Sequence, residues 1–252
     1  MPAPEWWGFR PSSGVAVQDG PVLSTPESVD AFESSHRGDL RGPTPKGWLR
    51  TLLAAVVVLT LTMLVWHHAG PVGVDRSLLR GYSPVKSSLL FRTADVLSTL
   101  GSPAVVIAIG IASAVWLWAR RRSSIDALAC LAAPAIAGFA ESAAKMIVAR
   151  PRPLTAALTG EDGMGFPSGH SAGFAALALI LALVLTGVRP AKLAVALSIV
   201  LSVLMAMSRV IVGAHYPTDV IAGVVLGLAV ADVVWQVSRR LGSGWRPAML
   251  RA

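Results

Sequence analysis

Apolar residues in this chain are gathered into six blocks, each near the ~20 residues needed to cross a hydrocarbon layer as a helix. The blocks run from about Trp48 to Ala69, Pro103 to Ala119, Ile125 to Val148, His170 to Thr186, Lys192 to Val212 and Pro217 to Trp235. Their ends carry helix signals. The third follows Ser123-Ser124, with Asp126 in its first turn, where a capping hydroxyl and a carboxylate satisfy free N–H groups and the positive end of the dipole. The sixth opens on Pro217, whose fixed φ and missing N–H suit a first helical turn. Trp48, Trp66, Trp116, Trp118 and Trp235 fall at block ends, where an indole bridges lipid and water. Between the first two blocks Tyr82, Leu89, Leu90, Val96, Leu97 and Leu100 recur near helical spacing, with Lys86, Arg92 and Asp95 among them. That pattern predicts an amphipathic helix lying along the membrane surface. The expected fold is all-α: a polytopic six-helix membrane bundle over residues 48–238 with an interfacial helix in its first outer loop. A flexible cytoplasmic tail, residues 1–47, rich in Pro, Ser and Gly, precedes it, and a basic cytoplasmic tail, residues 239–252, follows. The first apolar block lies too far along the chain to be a secretory signal. Gly223 and Gly227, four apart, predict close approach of the sixth helix to a neighbour.

Composition agrees with this pattern. Of 252 residues, 54% are hydrophobic and 14% charged, against roughly 25% charged in soluble domains; the mean hydropathy is +0.61. A formal charge of +8 would suit a nucleic-acid partner, but the basic residues sit beside apolar blocks and form no basic helix or stacking platform, so none is expected. Arg120-Arg121-Arg122, Arg189 with Lys192, Arg239-Arg240, and the group Arg37, Arg41, Lys46 and Arg50 all fall on one side of a six-span chain. The positive-inside rule makes that side, with both termini, cytoplasmic in a plasma-membrane protein. Arg76, Arg80, Lys86 and Arg92 oppose this, but they flank or belong to the interfacial helix and need not orient the chain. Cys130 is alone in an apolar block, which excludes an internal disulfide and reads as a small buried hydrophobe.

Three polar clusters interrupt the apolar chain, all at the outer ends of spans in this topology. They are Lys145 to Pro153, Pro167-Ser168-Gly169-His170, and Ser208-Arg209 with His215, Pro217 and Asp219. A Lys or Arg at mid-bilayer costs about 2.5–3.5 kcal/mol on insertion scales, so such charges usually face a cavity and a partner. Separate stretches reaching one depth point to a single site. Lys145, Arg152 and Arg209 suit a multiply charged anion: the guanidinium fork matches phosphate oxygens and lysine acts as a point charge. Ser168 and the Gly169 amide stand where the fourth helix begins, a position that binds anions through free N–H groups. Of the two histidines, one can attack phosphorus and the other protonate the departing oxygen. Asp219, four residues after His215, is placed to hold that imidazole in the attacking tautomer.

Lys145-x6-Arg152-Pro153, Pro167-Ser168-Gly169-His170 and Ser208-Arg209-x5-His215-x3-Asp219 resemble the three signature motifs of the type 2 phosphatidic acid phosphatases (PAP2), a family of lipid phosphate phosphatases, in order, spacing and identity. The resemblance extends over roughly residues 50–238 and to the six-helix layout. It implies that His215 is the nucleophile that forms a phosphohistidine, oriented by Asp219. It implies that His170 is the general acid and then the base activating water. Lys145, Arg152, Ser168, Gly169 and Arg209 would hold the phosphoryl oxygens, with no metal or cofactor. The implied substrate is a lipid phosphate or diphosphate: a polyprenyl diphosphate, phosphatidic acid or phosphatidylglycerophosphate. The Ala- and Arg-rich composition points to the bacterial membrane branch. A lipid phosphotransferase of the same superfamily, or a non-catalytic lipid-phosphate binder or transporter, would use the same cations.

Other polar residues have plainer readings. Glu141 is one turn before Lys145 and correctly ordered for a helical ion pair. Arg150 reads as a headgroup or structural contact, since the spacing from Lys145 selects Arg152. Adjacent His67 and His68 diverge on a helix and read as interfacial. Asp232 needs a basic partner. Headgroup choice, chain length and oligomeric state have no signal in the sequence.

Overall fold

The computed structural model describes residues 45–66, 68, 70–121, 123–186 and 192–245. The 1–44 stretch, His67, Arg122, Arg189 and everything after 245 lie outside the described residues, and with them most of the expected N-terminal tail and part of the C-terminal one. Eight α-helices follow in order: α1 (Pro45–Val65), α2 (Gly73–Leu78), α3 (Leu89–Leu100), α4 (Pro103–Arg121), α5 (Ser124–Val148), α6 (Gly169–Thr186), α7 (Lys192–Ile211) and α8 (Pro217–Trp245), with a 3₁₀ turn at Leu154–Thr159 between α5 and α6. Among the described residues no strand forms beyond a single bridge between Pro151 and Met164. Helices α1, α4, α5, α6, α7 and α8 are long and apolar enough to cross a membrane, so the six expected spans stand. The last is longer than its apolar block: α8 continues ten residues past Trp235, to Trp245.

Helix α6 is apolar around its whole circumference, as a helix enclosed by others must be, and it packs against α4, α5, α7 and α8. The α6–α8 contact is the closest. A Cβ on Gly223 would lie 2.5 Å from the Ser168 carbonyl oxygen, and one on Gly227 would lie 2.2 Å from that of Ala172. The two glycines therefore let backbone meet backbone, the role their spacing predicted. This contact matters for function because it sets α6 and α8, which begin at the same end of the bundle, in fixed register. Cys130 is fully buried in the core between α4, α5, α6 and α8.

The expected amphipathic helix is α3, but it has two apolar faces. Phe91 and Ala94 are buried with Val212 and Ala214 beyond the end of α7, and Ser98 is buried beside them on the same stripe. Leu89, Leu90, Val96 and Leu100, which produced much of the sequence signal, are turned away from the protein, and Phe91, Ala94 and Ser98 make the tertiary contact. The loop before α3 also holds α2, which the sequence pattern did not predict.

At the far end of the bundle from the polar motifs, basic residues and tryptophans gather. Arg50 pairs with Asp232 at 3.0 Å, which supplies the partner that Asp232 required, and Gln236 donates to the same carboxylate at 2.8 Å. Arg239 pairs with Asp126 and stacks on Trp235 at 4.1 Å. His68 is exposed just beyond α1.

Candidate active site

Local chain geometry brings the polar clusters together. Helix α5 ends in a left-handed residue, Ala149 (φ 50°), whose N–H closes on the Lys145 carbonyl. The chain reverses there, and Arg150 turns inward. Gly165 donates to the Arg150 carbonyl at 2.7 Å, which folds the 151–164 loop back on itself. The loop is pinned to the turn after α7 by the Thr155 hydroxyl, which donates to the Gly213 carbonyl at 2.7 Å. Gly213 has φ 76°, and a Cβ there would meet Thr155 Oγ1 at 2.7 Å, so conformation and space both demand glycine. In this turn the N–H groups of Ala214 and His215 both fall to the Arg209 carbonyl. The Ser168 N–H donates to the Asp219 carbonyl at 3.0 Å, joining the start of α6 to the start of α8.

His215 is the centre of the assembly, almost wholly buried. Its Nε2 lies 2.8 Å from Nη1 of Arg152. Guanidinium only donates, so Nε2 is the acceptor and the proton of the neutral ring sits on Nδ1. Nδ1 faces Oδ2 of Asp219 at 3.6 Å, beyond hydrogen-bonding length. Burial, reinforced by the Arg152 and Arg209 guanidiniums, pushes the His215 pKa well below its ordinary value. The imidazole is therefore neutral at pH 7, with a lone pair on Nε2. Asp219 takes Arg150 on Oδ1 at 2.6 Å and the Tyr216 N–H on Oδ2 at 3.0 Å.

Arg209 and Arg152 converge on one carboxylate, Glu161. Arg209 pairs with its Oε1 and Arg152 with its Oε2 at 2.7 Å. Arg209 also donates to Ser98 of α3, and Arg152 to the carbonyls of Asp162 (3.0 Å) and Ala214 (3.2 Å). Burial alone would raise the Glu161 pKa; Arg209 and Arg152 outweigh it and hold the carboxyl below its ordinary range. Lys145 pairs with Glu141, as their spacing predicted, and still adds to the positive field on His215. His170, half-buried in the first turn of α6, feels the same four charges as His215: Arg209, Glu161, Arg152 and Lys145. Ser168 is fully buried, and its Oγ accepts from Ser171 at 3.2 Å. Gly169 abuts the Glu141 carboxylate so closely that a Cβ would come within 2.7 Å of it.

The structure thus links Arg152, Arg209, His215 and Asp219 through direct contacts or a shared carboxylate, and sets Lys145 and His170 in the same field. Ser168 and Gly169 lie behind them, in contact with Asp219 and Glu141. Sequence reasoning missed Glu161, whose only mark was its place in the polar stretch between two motifs. It also missed Asp75, in α2. Arg150, read as a headgroup or structural contact, is the latter, a buried hub. It donates to Asp75 Oδ2 at 2.6 Å, the Gly70 carbonyl at 2.9 Å and Thr218 Oγ1 at 2.8 Å, as well as to Asp219, and lies 4.4 Å over the Tyr216 ring. The Pro-flanked arginine pair was visible in sequence; which member was buried was not.

Fold and site together define a bundle of membrane-spanning helices with Lys145, Arg152 and Arg209 grouped about two histidines. Residues 126–243 match the sequence model of the PAP2 superfamily. Two solved structures share the fold. One, described as the first transmembrane PAP2 type phosphatidylglycerolphosphate phosphatase from Bacillus subtilis, has a TM-score of 0.66 and 21% identity, covering 79% of this chain and 98% of its own. The other, Aquifex aeolicus LpxE, has a TM-score of 0.51 and 20% identity, covering 64% of this chain and 92% of its own. No curated protein sequence matches the chain.

Proposed function

We propose that the protein is a membrane lipid phosphatase that works through a phosphohistidine on His215, with the cationic cup of Lys145, Arg152 and Arg209 facing the outer side of the plasma membrane. One observation carries the reading: two arginines from separate elements converge on a single oxyanion, that of Glu161, beside a neutral histidine whose Nε2 is the unprotonated nitrogen. A phosphoryl group presents the same negative oxygens with more charge, and Arg152 and Arg209 suit it in the same way. The superfamily match and the phosphatidylglycerolphosphate phosphatase named among the structural neighbours support the same class.

In this mechanism a lipid phosphate exchanges for the Glu161 carboxylate on Arg152 and Arg209, and Arg152 leaves Nε2. The Nε2 lone pair forms the N–P bond while the bond from phosphorus to the lipid oxygen breaks. The electron pair departs with that oxygen, which takes a proton from His170. His170 then accepts a proton from water as its oxygen attacks phosphorus, the N–P bond breaks, and inorganic phosphate leaves. Lys145, Arg152, Arg209 and the start of α6 stabilise the charge on the equatorial oxygens throughout. The outward orientation is supported by the positive-inside rule applied to Arg120, Arg121, Arg239 and Arg240 at the opposite end of the bundle.

The test is phosphate release by detergent-purified protein from phosphatidic acid, phosphatidylglycerophosphate and a polyprenyl diphosphate, with EDTA present and no acceptor added. Hydrolysis of at least one lipid, undiminished by chelation, is the expected result. Strict dependence on magnesium would contradict the cationic-cup mechanism, and turnover only with an added acceptor would make the protein a phosphotransferase.

Glu161 gives a separate prediction. Its carboxyl is held ionised at ordinary pH, so an incoming phosphate competes with an anion. Glu161→Gln removes that competitor, and inhibition by orthovanadate is expected to tighten by roughly tenfold, about 1.4 kcal/mol. Unchanged or weaker inhibition would mean that Glu161 supports the bound anion instead of competing with it.

A further inference from the structure

We propose that Arg150 and Asp75 are positioning residues for the nucleophile: Asp75, in the loop between α1 and α3, holds Arg150, and Arg150 holds the Asp219 carboxylate behind His215. The inference rests on the phosphatase reading and adds to it two residues that the motifs do not specify.

The geometry is a closed chain of contacts. Arg150, 1% exposed, forks between two carboxylates, Asp75 Oδ2 and Asp219 Oδ1, each at 2.6 Å. Asp75 accepts three further bonds, from the Thr218 N–H (3.0 Å) and hydroxyl (3.1 Å) and from the Val72 N–H (3.1 Å). Every one of these groups lies at the start of α8 or in the loop that covers it. The carboxylate that faces Nδ1 of His215 is thus anchored to a loop some 140 residues earlier in the chain.

Charge gives the arrangement a purpose beyond adhesion. A buried ion pair is a poor source of stability, since well-packed apolar residues often serve as well. Arg150 with Asp219 alone would be neutral as a unit and would cancel much of the carboxylate's effect on His215. The second carboxylate, Asp75, returns a net negative charge to the Nδ1 side of the ring. That charge is needed when Nε2 commits its lone pair to phosphorus, because the ring then keeps the Nδ1 proton and becomes cationic. Among the described residues no other carboxylate faces His215 from behind; Arg152, Arg209, Lys145 and His170 add positive or titratable charge from the cup side, and Glu161 bridges the two arginines.

The test uses the full chain in detergent with two variants, Asp75→Asn, which keeps shape and removes charge, and Arg150→Lys, which keeps charge and removes the fork. With lipid phosphate as substrate, kcat is expected to fall by about 10–100-fold in each, the range carried by outer partners of a reacting group, with KM within about threefold. The acid limb of the Asp75→Asn rate profile should move to lower pH, because His215 loses a negative neighbour and protonates less readily. If Arg150→Lys does not yield folded protein, Asp75→Asn carries the test. A purely structural role would lower the melting temperature and leave both kcat and the acid limb of the folded enzyme unchanged, and that result overturns the proposal. Histidine ¹⁵N NMR reads positioning without turnover: His215 should report an Nδ1–H ring in the natural chain, with its tautomer or titration altered in Asp75→Asn. An inactive natural chain that shows this NMR difference would sink the phosphatase reading alone; an active chain without it would sink this one.

Discussion

Replacing His215 with alanine should stop phosphate release, by a factor of about 10⁴ or more, as expected when a covalent nucleophile is removed from a site whose parts act as a unit. The bundle should still assemble. The side chain of His215 makes one direct hydrogen bond, to Arg152, and Arg152 keeps Glu161 and two backbone carbonyls when the ring is gone. The turn that presents residue 215 is built from backbone bonds to Arg209 and from Gly213, none of which needs imidazole. The measurement pairs turnover with acid-quenched labelling by a ³²P-lipid phosphate: the natural chain should trap acid-labile phosphate on protein and the variant should not. Covalent labelling that persists in the alanine variant would assign the nucleophile elsewhere, with His170 the first alternative.

Asp219→Asn should damage activity and stability together. Oδ1 receives Arg150; Oδ2 receives the Tyr216 N–H and faces the Nδ1 side of His215. All of these neighbours are donors, so a carboxylate satisfies them from both oxygens. An amide cannot. If its oxygen turns toward Arg150, its NH₂ opposes the Tyr216 N–H and the Nδ1 proton; flipped, the NH₂ opposes the guanidinium. The orienting charge is lost in either case, and in a hydrolytic triad the same change costs about 10⁴ in kcat through the wrong tautomer. Here the nearest approach is 3.6 Å, so a loss of about 10³ is expected. Breaking one side of a buried ion pair costs about 3–5 kcal/mol, which should appear as a lowered melting temperature in detergent. Activity within tenfold of the natural chain would remove Asp219 from the mechanism.

The contrast between these variants rests on where each side chain sits. In the proposed mechanism His215 reacts and is regenerated while contributing little to assembly, whereas Asp219 would serve the chemistry and the packing of α8 at once. Arg150 resembles Asp219 in this respect, and so does Gly213, where only glycine satisfies both the positive φ and the contact with Thr155.

The six long apolar helices were legible from the sequence alone, because long apolar blocks have one physical solution in a hydrocarbon layer: backbone polar groups must pair within the segment. The sequence also determined which residues could form an anion cup, since Lys145, Arg152, Arg209, His170 and His215 are charged or titratable groups at the ends of such blocks. The close approach at Gly223 and Gly227, the Glu141–Lys145 pair and a basic partner for Asp232 were legible for the same reason: each depends on local spacing or on the expense of an unpaired charge. Only the tertiary structure decided how the charges are shared. The spacing from Lys145 selects Arg152 as the motif arginine, but it does not say that Arg150 is buried between Asp75 and Asp219 while Arg152, two residues on, meets Glu161 and His215. Both follow a helix end, and a single left-handed residue, Ala149, sets which of them points inward. Asp75 lies in a helix of six residues, too short to show a period, and Glu161 in an irregular loop; Arg150 is 75 residues from the first and Arg209 48 residues from the second. Periodicity reports a residue's own element; the partner of a buried charge is set by where a different element comes to rest.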